Sequence, residues 1–239
     1  MKQTLLAVAL GAALISPTVT AVELKTEEQK VSYSVGLIVG ENIYTFPYFD
    51  FDTFIAAAKT TYAGEEPQLT PDQVGDVMKA FQERQVAEQK KKFDQLSQDN
   101  LDKGTKYLAE NGKKKGVVTT KSGLQYQELT AGKGKKPTAE DIVKVHYRGT
   151  LIDGTEFDSS YARNEPVSFP LNGVIPGWTE GLQLIKEGGK ARLVIPSELA
   201  YGPGGMGGAI GPNETLIFEV ELLEINPEAE QAAEKEAAK

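Results

Sequence analysis

The hydrophobic periodicity of the chain changes once, between residues 112 and 116, and this change constrains the fold more than any other feature. Residues 23–112 place apolar side chains three and four positions apart, as amphipathic helices do. Residues 116–226 alternate apolar and polar side chains, as half-buried strands do. The sequence therefore predicts an α+β protein, with a helical first part and an antiparallel sheet packed on a short helix in the second.

Two capping boxes mark helix starts in the first part. Thr26 and Gln29 form one, and Thr70 and Gln73 form the other, with the N-cap hydroxyl and the N3 side chain at the required spacing. No proline follows until the second part, so the pattern predicts a linker helix over residues 70–111, ~60 Å long at 1.5 Å per residue. Its later turns are polar on most sides, and we expect it to run through solvent.

The helical part, residues 22–112, holds few layers in which to bury its own apolar residues. Val31, Val35 and Ile38 share one face of the first helix, and residues 44–49 contain four aromatic side chains. A second copy of the segment would cover these surfaces, because closed two-fold dimers are the commonest assembly. We expect a homodimer through this segment; the alternative is a monomeric helical domain folded against its own sheet.

The two ends of the chain differ in composition from the rest. Lys2, an apolar run over residues 5–15 and small residues up to Ala21 predict a signal peptide over residues 1–21; the alternative is a short buried helix. Export to the periplasm, the outer membrane or the surface of a Gram-negative bacterium would follow. We find no stretch apolar enough for a transmembrane segment. Residues 227–239 contain only Ala, Glu, Gln and Lys after Pro227, which predicts a disordered tail; the alternative is an interaction helix.

Charge and residue usage argue against several classes of function. The formal net charge is −8, and nucleic-acid binding depends on clustered lysine and arginine, so nucleic acid is not an expected partner. His146 is the single histidine and there is no cysteine, which disfavours a zinc site of the usual ligand set and a histidine-based triad. We expect neither a metal nor a cofactor.

The second part, residues 113–226, divides into strands and turns. Asp153-Gly154 predicts a hairpin turn between apolar flanks. A short helix is predicted over residues 178–186, closed by Gly188-Gly189. The clearest alternation lies in two segments, Val143, Val145 and Tyr147, and Leu216, Phe218, Val220 and Leu222.

Six short motifs occur in order through about 100 residues of this part. They are VHYRG at 145–149, DG at 153–154, FDSS at 157–160, VIPGWTEGL at 174–182, AYG at 200–202 and PNETLIF at 212–218. Taken together, these motifs resemble the FKBP-type peptidyl-prolyl cis/trans isomerases. The helical part, with YSVG at 33–36 and DTFIA at 52–56, resembles the dimerising N-terminal domain of the macrophage infectivity potentiator group of exported FKBPs.

The resemblance implies a site for each role in the reaction. It puts Trp178 at the floor of an apolar pocket, and it gives Tyr201 and the backbone N–H of Ile175 the role of donors to substrate carbonyls. Asp158 would lie beside the reacting amide, held by Tyr147 and Arg163. The implied catalytic residues are Asp158, Tyr201, Tyr147 and Phe157. The implied substrate-binding residues are Trp178, Val174, Ile175, Phe218, Arg163, Val167, Ile210 and Phe169.

The implied activity suits these residue types. Twisting an X-Pro amide removes its resonance and most of its dipole, so an apolar pocket favours the twisted transition state over the planar ground state. The implied partners are proline-containing unfolded or surface polypeptides, together with macrolide inhibitors of the FK506/rapamycin type. The alternative function is a chaperone-like binding protein in which the isomerase pocket is secondary.

Some of these residues have other interpretations. Trp178, Phe218 and Phe169 also suit a plain hydrophobic core, and Asp158 also suits a turn cap. His146 alternates to the face opposite Tyr147, which favours a structural role. Many glycines in residues 202–211 predict a mobile flap over the pocket.

Overall fold

The computed structural model describes residues 22–227. The predicted signal peptide and all but the first residue of the predicted tail lie outside the described residues. The chain divides into two compact units, one ending at Val74 and the other beginning at Gly75. No helix within residues 22–227 is long and apolar enough to cross a bilayer.

The first unit contains α1 (Glu27–Tyr44), α2 (Phe51–Ala63) and the first turn of α3 (Pro71–Asn111). The predicted capping box at Thr26 is present, since its hydroxyl accepts from Gln29 N and the Gln29 side chain accepts from Thr26 N. Neither α1 nor α2 has a buried residue in the single chain. The packing of this unit therefore leaves its apolar faces open.

The second unit is built on a seven-stranded antiparallel sheet with strand order β1-β2-β6-β7-β3-β4, in which β5 also pairs with β3. A short helix, α4 (Pro176–Leu182), packs on one face. The α+β fold class is thus confirmed, with helices first and an antiparallel sheet second. The strands are β1 (Val117–Thr119), β2 (Gln125–Thr130), β3 (Ile142–Leu151), β4 (Glu156–Ser159), β5 (Val167–Pro170), β6 (Lys190–Ile195) and β7 (Leu216–Ile225).

The helix predicted over residues 178–186 is displaced towards the N-terminus. It begins at Pro176, whose fixed φ suits the first turn, and ends at Leu182. Beyond it the chain continues in tighter turns, with Leu184 N bonded to Gly181 O and Ile185 N to Leu182 O. Apolar spacing does not distinguish these turns from a longer helix, because Leu182 and Ile185 would be buried in either conformation.

The sequence predicted that the later turns of α3 run through solvent. In the structure they lie against the sheet instead. Asn100, Gly104 and Asn111 on this helix are buried. Asn111 Nδ2 donates to Gln125 Oε1 on β2 at 2.9 Å, and Arg192 on β6 donates to Tyr107 Oη at 3.1 Å. These two contacts are polar, so a search for hydrophobic spacing does not find them.

Candidate active site

One face of the sheet, α4 and the loop after β6 enclose a cavity of about 790 Å³. All of the predicted site residues line it except Arg163, which lies behind Asp158. Five further residues that the sequence did not assign to the site also line it. The lining consists of Tyr147, Phe157, Asp158, Val167, Phe169, Gly173, Val174, Ile175, Trp178, Tyr201, Met206, Gly207, Gly208, Ala209, Ile210 and Phe218.

The floor of the cavity is an aromatic cluster around Trp178, which α4 presses against the sheet. Tyr147 on β3 and Phe218 on β7 meet the indole edge-on, with ring centroids 5.1 and 5.0 Å away. Phe169 on β5 lies 5.3 Å from it in a tilted arrangement. Such geometries stabilise aromatic pairs beyond the area they bury. Trp178 is 5% exposed, so these rings serve as both core and cavity wall.

A β-bulge positions the neighbouring pair Phe157 and Asp158. The Asp153-Gly154 turn joins β3 to β4 as predicted, with Gly154 at a φ of 91°. The pairing between β3 and β4 then shifts register next to Gly149, which leaves Asp158 opposite Gly149. Both side chains of the pair reach the cavity.

Asp158 is the carboxylate of the site, and two neighbours hold it. Tyr147 Oη donates a short hydrogen bond to Asp158 Oδ2, while Arg163 donates to Asp158 Oδ1 at 2.5 Å and to Tyr147 Oη at 2.9 Å. Partial burial tends to raise the pKa of Asp158, but these hydrogen bonds and the charge of Arg163 outweigh it and lower the pKa below its ordinary value. Asp158 is therefore ionised at neutral pH.

Tyr201 and Ile175 offer hydrogen-bond donors to the same cavity. Burial, followed by the charge of Asp158, raises the pKa of Tyr201, so its phenol keeps its proton. Within residues 22–227 neither Tyr201 Oη nor the backbone N–H of Ile175 has a hydrogen-bond partner. Both donors are thus available to carbonyl groups of a bound peptide.

The flap over residues 202–211 supplies four of the five cavity-lining residues that the sequence did not assign, and Gly173 is the fifth. Its glycines serve a defined turn, because Gly205, Gly207 and Gly208 have φ of 65°, 78° and 57°. Met206 N bonds to Ile210 O at 3.1 Å, and Ile210 N bonds to Gly207 O at 3.2 Å. The glycine count signalled a flap in the sequence, but which of its residues face the cavity depends on this turn.

His146 lies outside the cavity lining. Its Nδ1 is 2.9 Å from Ser160 Oγ, and its ring stacks on Tyr161 with centroids 4.6 Å apart. Ser160 Oγ also accepts from Tyr147 N at 2.8 Å and donates to Tyr147 O at 3.2 Å. His146 thus belongs to a structural cluster with Ser160 and Tyr161 that supports β3 on the side opposite the cavity.

Taken together, the cavity offers an apolar aromatic floor, two free donors and one ionised carboxylate. A ring the size of proline fits such a floor, while the donors can hold carbonyl groups on either side of it. This combination suits binding and distortion of a peptide around a proline.

Comparison with known proteins assigns both parts of the chain to one family. Residues 133–223 match the family model of the FKBP-type peptidyl-prolyl cis-trans isomerases, and residues 28–127 match that of the domain amino terminal to such isomerases. The chain belongs to the FKBP-type peptidyl-prolyl cis-trans isomerases. It is an enzyme that interconverts the cis and trans forms of X-Pro peptide bonds.

Individual relatives share almost the whole length. The chain is 42% identical to the FKBP-type isomerase FkpA of Escherichia coli, over 99% of this chain and 94% of that protein. It is 39% identical to the outer membrane protein MIP of Legionella longbeachae, over 96% of this chain and 100% of that protein. The crystal structure of FkpA from Escherichia coli superposes with a TM-score of 0.75 at 43% identity, covering 86% of this chain and 99% of that one.

Proposed function

We propose that the cavity around Trp178 is the place where this isomerase twists X-Pro amides. The observation that carries the proposal is the meeting of an aromatic floor, a free phenol and an ionised carboxylate in one cavity of about 790 Å³. A planar amide loses most of its dipole when it rotates, so a largely apolar enclosure stabilises the rotated form relative to the planar one. The reaction then needs no covalent intermediate.

Two donors would hold the substrate during rotation. Tyr201 Oη and the Ile175 backbone N–H are free in the described structure and both border the cavity. If each binds a carbonyl of the peptide, one side of the X-Pro bond is held while the other turns. Holding the peptide in this way lowers the entropic part of the barrier.

Asp158 would act through its charge. Its carboxylate is fixed by Tyr147 and Arg163, so it keeps one orientation beside the bound amide. Preorganised charge of this kind favours the transition state, since no reorientation is needed as the amide electrons shift. Arg163 is then a positioning residue for Asp158.

An isomerisation assay on a proline-containing peptide tests these assignments. We expect Tyr201→Phe and Asp158→Leu each to lower kcat/KM about tenfold or more, the scale of one lost transition-state interaction. Tyr161→Phe is the control, because it also removes a single phenolic hydroxyl, one that donates to Glu221 outside the cavity lining. Full activity in both cavity variants would refute the assignment.

We also propose that the enzyme works as an exported homodimer joined through residues 22–112. Val31, Val35 and Ile38 on α1 are each more than half exposed in the single chain, which supports a covering second copy. Val35→Lys should give the monomer mass in sedimentation, whereas Val118→Lys, at an equally exposed apolar site on β1, should leave the dimer intact. A wild-type monomer at micromolar concentration would contradict the dimer.

Export rests on the composition of residues 1–21, and a relative named as an outer membrane protein supports it. Expression in a Gram-negative host should yield an extracytoplasmic protein, either periplasmic or attached to the outer membrane, whose first residue is Val22. A chain that keeps Met1 and stays in the cytoplasm would contradict export. If the protein is exported, its substrates would be proline-containing unfolded or surface polypeptides.

A second function, as a chaperone, is favoured by one observation. The first turns of α3 carry exposed apolar residues, where Val74, Val77 and Met78 are about half exposed. Such a surface suits binding of unfolded chains. If the full-length Asp158→Leu variant loses isomerase activity but still suppresses aggregation of an unfolded test protein, the two functions are separate. If suppression falls together with isomerisation, the chaperone proposal fails.

Inhibition by macrolides of the FK506/rapamycin type is proposed for the same cavity. The chain has one tryptophan, Trp178, and it lies on the cavity floor. Its fluorescence should therefore change with saturable dependence on macrolide concentration, and isomerase activity should fall over the same range. A change in neither signal would contradict the proposal.

A further inference from the structure

The flap that borders the cavity is attached to α3 at its base. The segment from Gly202 to Asn213 leaves the domain and returns, and Asn213 N bonds to Gly202 O at 2.9 Å, which closes it. Gly202 directly follows Tyr201, the proposed donor to the substrate. Whatever fixes Asn213 therefore also fixes the backbone next to Tyr201.

Two side chains of α3 hold this base. Asn100 Nδ2 donates to Pro212 O at 2.9 Å, and Asn213 Nδ2 donates to Ser97 Oγ at 2.8 Å. Asn100 is 5% exposed, so its amide has no ready exchange with solvent. Asn213 itself has a φ of 54°, in the left-handed region that asparagine adopts more readily than most L residues.

The contact reaches the residues that border the cavity. Gly211 packs beside Asn100 and Leu96 of α3, and it directly follows Ile210, which lines the cavity and is 5% exposed. Ile210 is in turn bonded to Met206 and Gly207 within the flap. A continuous set of contacts thus runs from α3 through residues 211–213 to both ends of the flap.

We propose that Asn100 and Ser97 are positioning residues of the isomerase. Through their hydrogen bonds to residues 212 and 213, they fix the position of the flap and of Tyr201 relative to the linker helix α3. In this role α3 fixes the width of the cavity mouth on the side of Met206 and Ile210. Neither residue touches the cavity, since neither is among its lining residues. The inference rests on the proposed function of the cavity, and it adds the linker helix to the parts that determine substrate binding.

The helix offers a matched control for Asn100. Asn111 is 4% exposed and also donates its amide to the sheet unit, but to Gln125 on β2, which is not part of the cavity lining. Asn100→Ala and Asn111→Ala therefore remove the same kind of buried amide from the same helix. Only the first removes a contact with the flap base.

Steady-state kinetics on a proline peptide and amide hydrogen exchange test the proposal in the full-length protein. We expect Asn100→Ala to raise KM about fivefold, the equivalent of one ordinary hydrogen bond, with kcat changed less than about twofold. Exchange at Met206 N and Ile210 N should become faster. Asn111→Ala should leave KM and flap exchange at the wild-type values even where its melting temperature falls.

Ser97→Ala gives a milder form of the test if Asn100→Ala does not fold, because it removes the hydroxyl acceptor of Asn213 Nδ2 and keeps the longer bond, 3.4 Å, to Ser97 O. Equal effects of the Asn100 and Asn111 variants on KM and on flap exchange would overturn the positioning role. Full activity in both Tyr201→Phe and Asp158→Leu would instead refute the cavity as the active site. The hydrogen-exchange comparison does not depend on that assignment, so the two failures are distinguishable.

Discussion

Replacing Gly149 by alanine should damage stability and activity together, because this residue lies beneath two walls of the cavity. A Cβ atom at position 149 would lie 2.7 Å from Cε2 and Cζ of Phe157 and 2.8 Å from Cε1 of Phe218. These atoms belong to rigid rings, which pack edge to face with centroids 5.4 Å apart. The rings can make room only by moving as a pair, towards the cavity or away from β3.

The expected magnitude follows from two opposing effects. Overpacking a core of this kind costs about 1–3 kcal/mol. Alanine also restricts the unfolded chain, which offsets about 0.4–1 kcal/mol. The net loss in the free energy of unfolding should be about 1–2 kcal/mol, and for a unit of this size the melting temperature should fall by roughly 2–8 °C.

Thermal melts followed by Trp178 fluorescence and an isomerisation assay measure the two effects. We expect kcat/KM of Gly149→Ala to fall about 3- to 10-fold, since displaced walls fit the twisted amide less well. Gly173→Ala is the control: Gly173 also lines the cavity, but a Cβ atom there meets nothing within 4 Å. Wild-type melting temperature and activity in Gly149→Ala would refute the packing argument.

Three further outcomes follow from the site. Ser160→Ala should cost about 1–3 kcal/mol in urea unfolding, because it leaves the buried Tyr147 N–H without its partner. Since the pKa of Asp158 is lowered and that of Tyr201 raised, kcat/KM should stay flat from about pH 5 to 8. An ionisation in the kcat/KM profile between about pH 5 and 8 would contradict this. The stabilisation from ionised Asp158 should be lost only as pH falls below about 4. Saturating proline peptide should change Trp178 fluorescence, and half-saturation should need more peptide in Tyr201→Phe than in the wild type because one hydrogen bond to the peptide is lost.

The sheet and the cavity floor could be predicted from the sequence for a physical reason. Val143, Val145 and Tyr147 alternate on β3 because one face of that strand is buried, and Phe218 and Val220 do the same on β7. Burial of one face imposes a two-residue period that a sequence displays directly. The motifs shared with the FKBP family then add which of these buried rings border the cavity.

Shorter elements were harder to predict because their signal is weak. Strands β1 and β4 have three and four residues, so an alternating pattern has no room to repeat. The end of α4 was misplaced because Ile185, beyond it, is as buried as Leu182 within it. In both cases apolar spacing reports burial correctly but does not report which backbone hydrogen bonds are made.

The docking of α3 shows the same limit in its strongest form. Ser97, Asn100, Gly104 and Asn111 recur at helical spacing on one face, yet each is small or polar, so the face looks like a solvated surface in the sequence. Burying an asparagine is unfavourable unless its amide finds a partner. Here the partners are the Pro212 carbonyl, 112 residues from Asn100, and the Gln125 side chain, 14 residues from Asn111. Those partners are invisible without the fold. A hydrogen-bonded helix face fixes the direction and register of packing, whereas an apolar face fixes only proximity. This polar face of α3 is therefore suited to hold the flap in one position. The comparison of Asn100→Ala with Asn111→Ala measures that property.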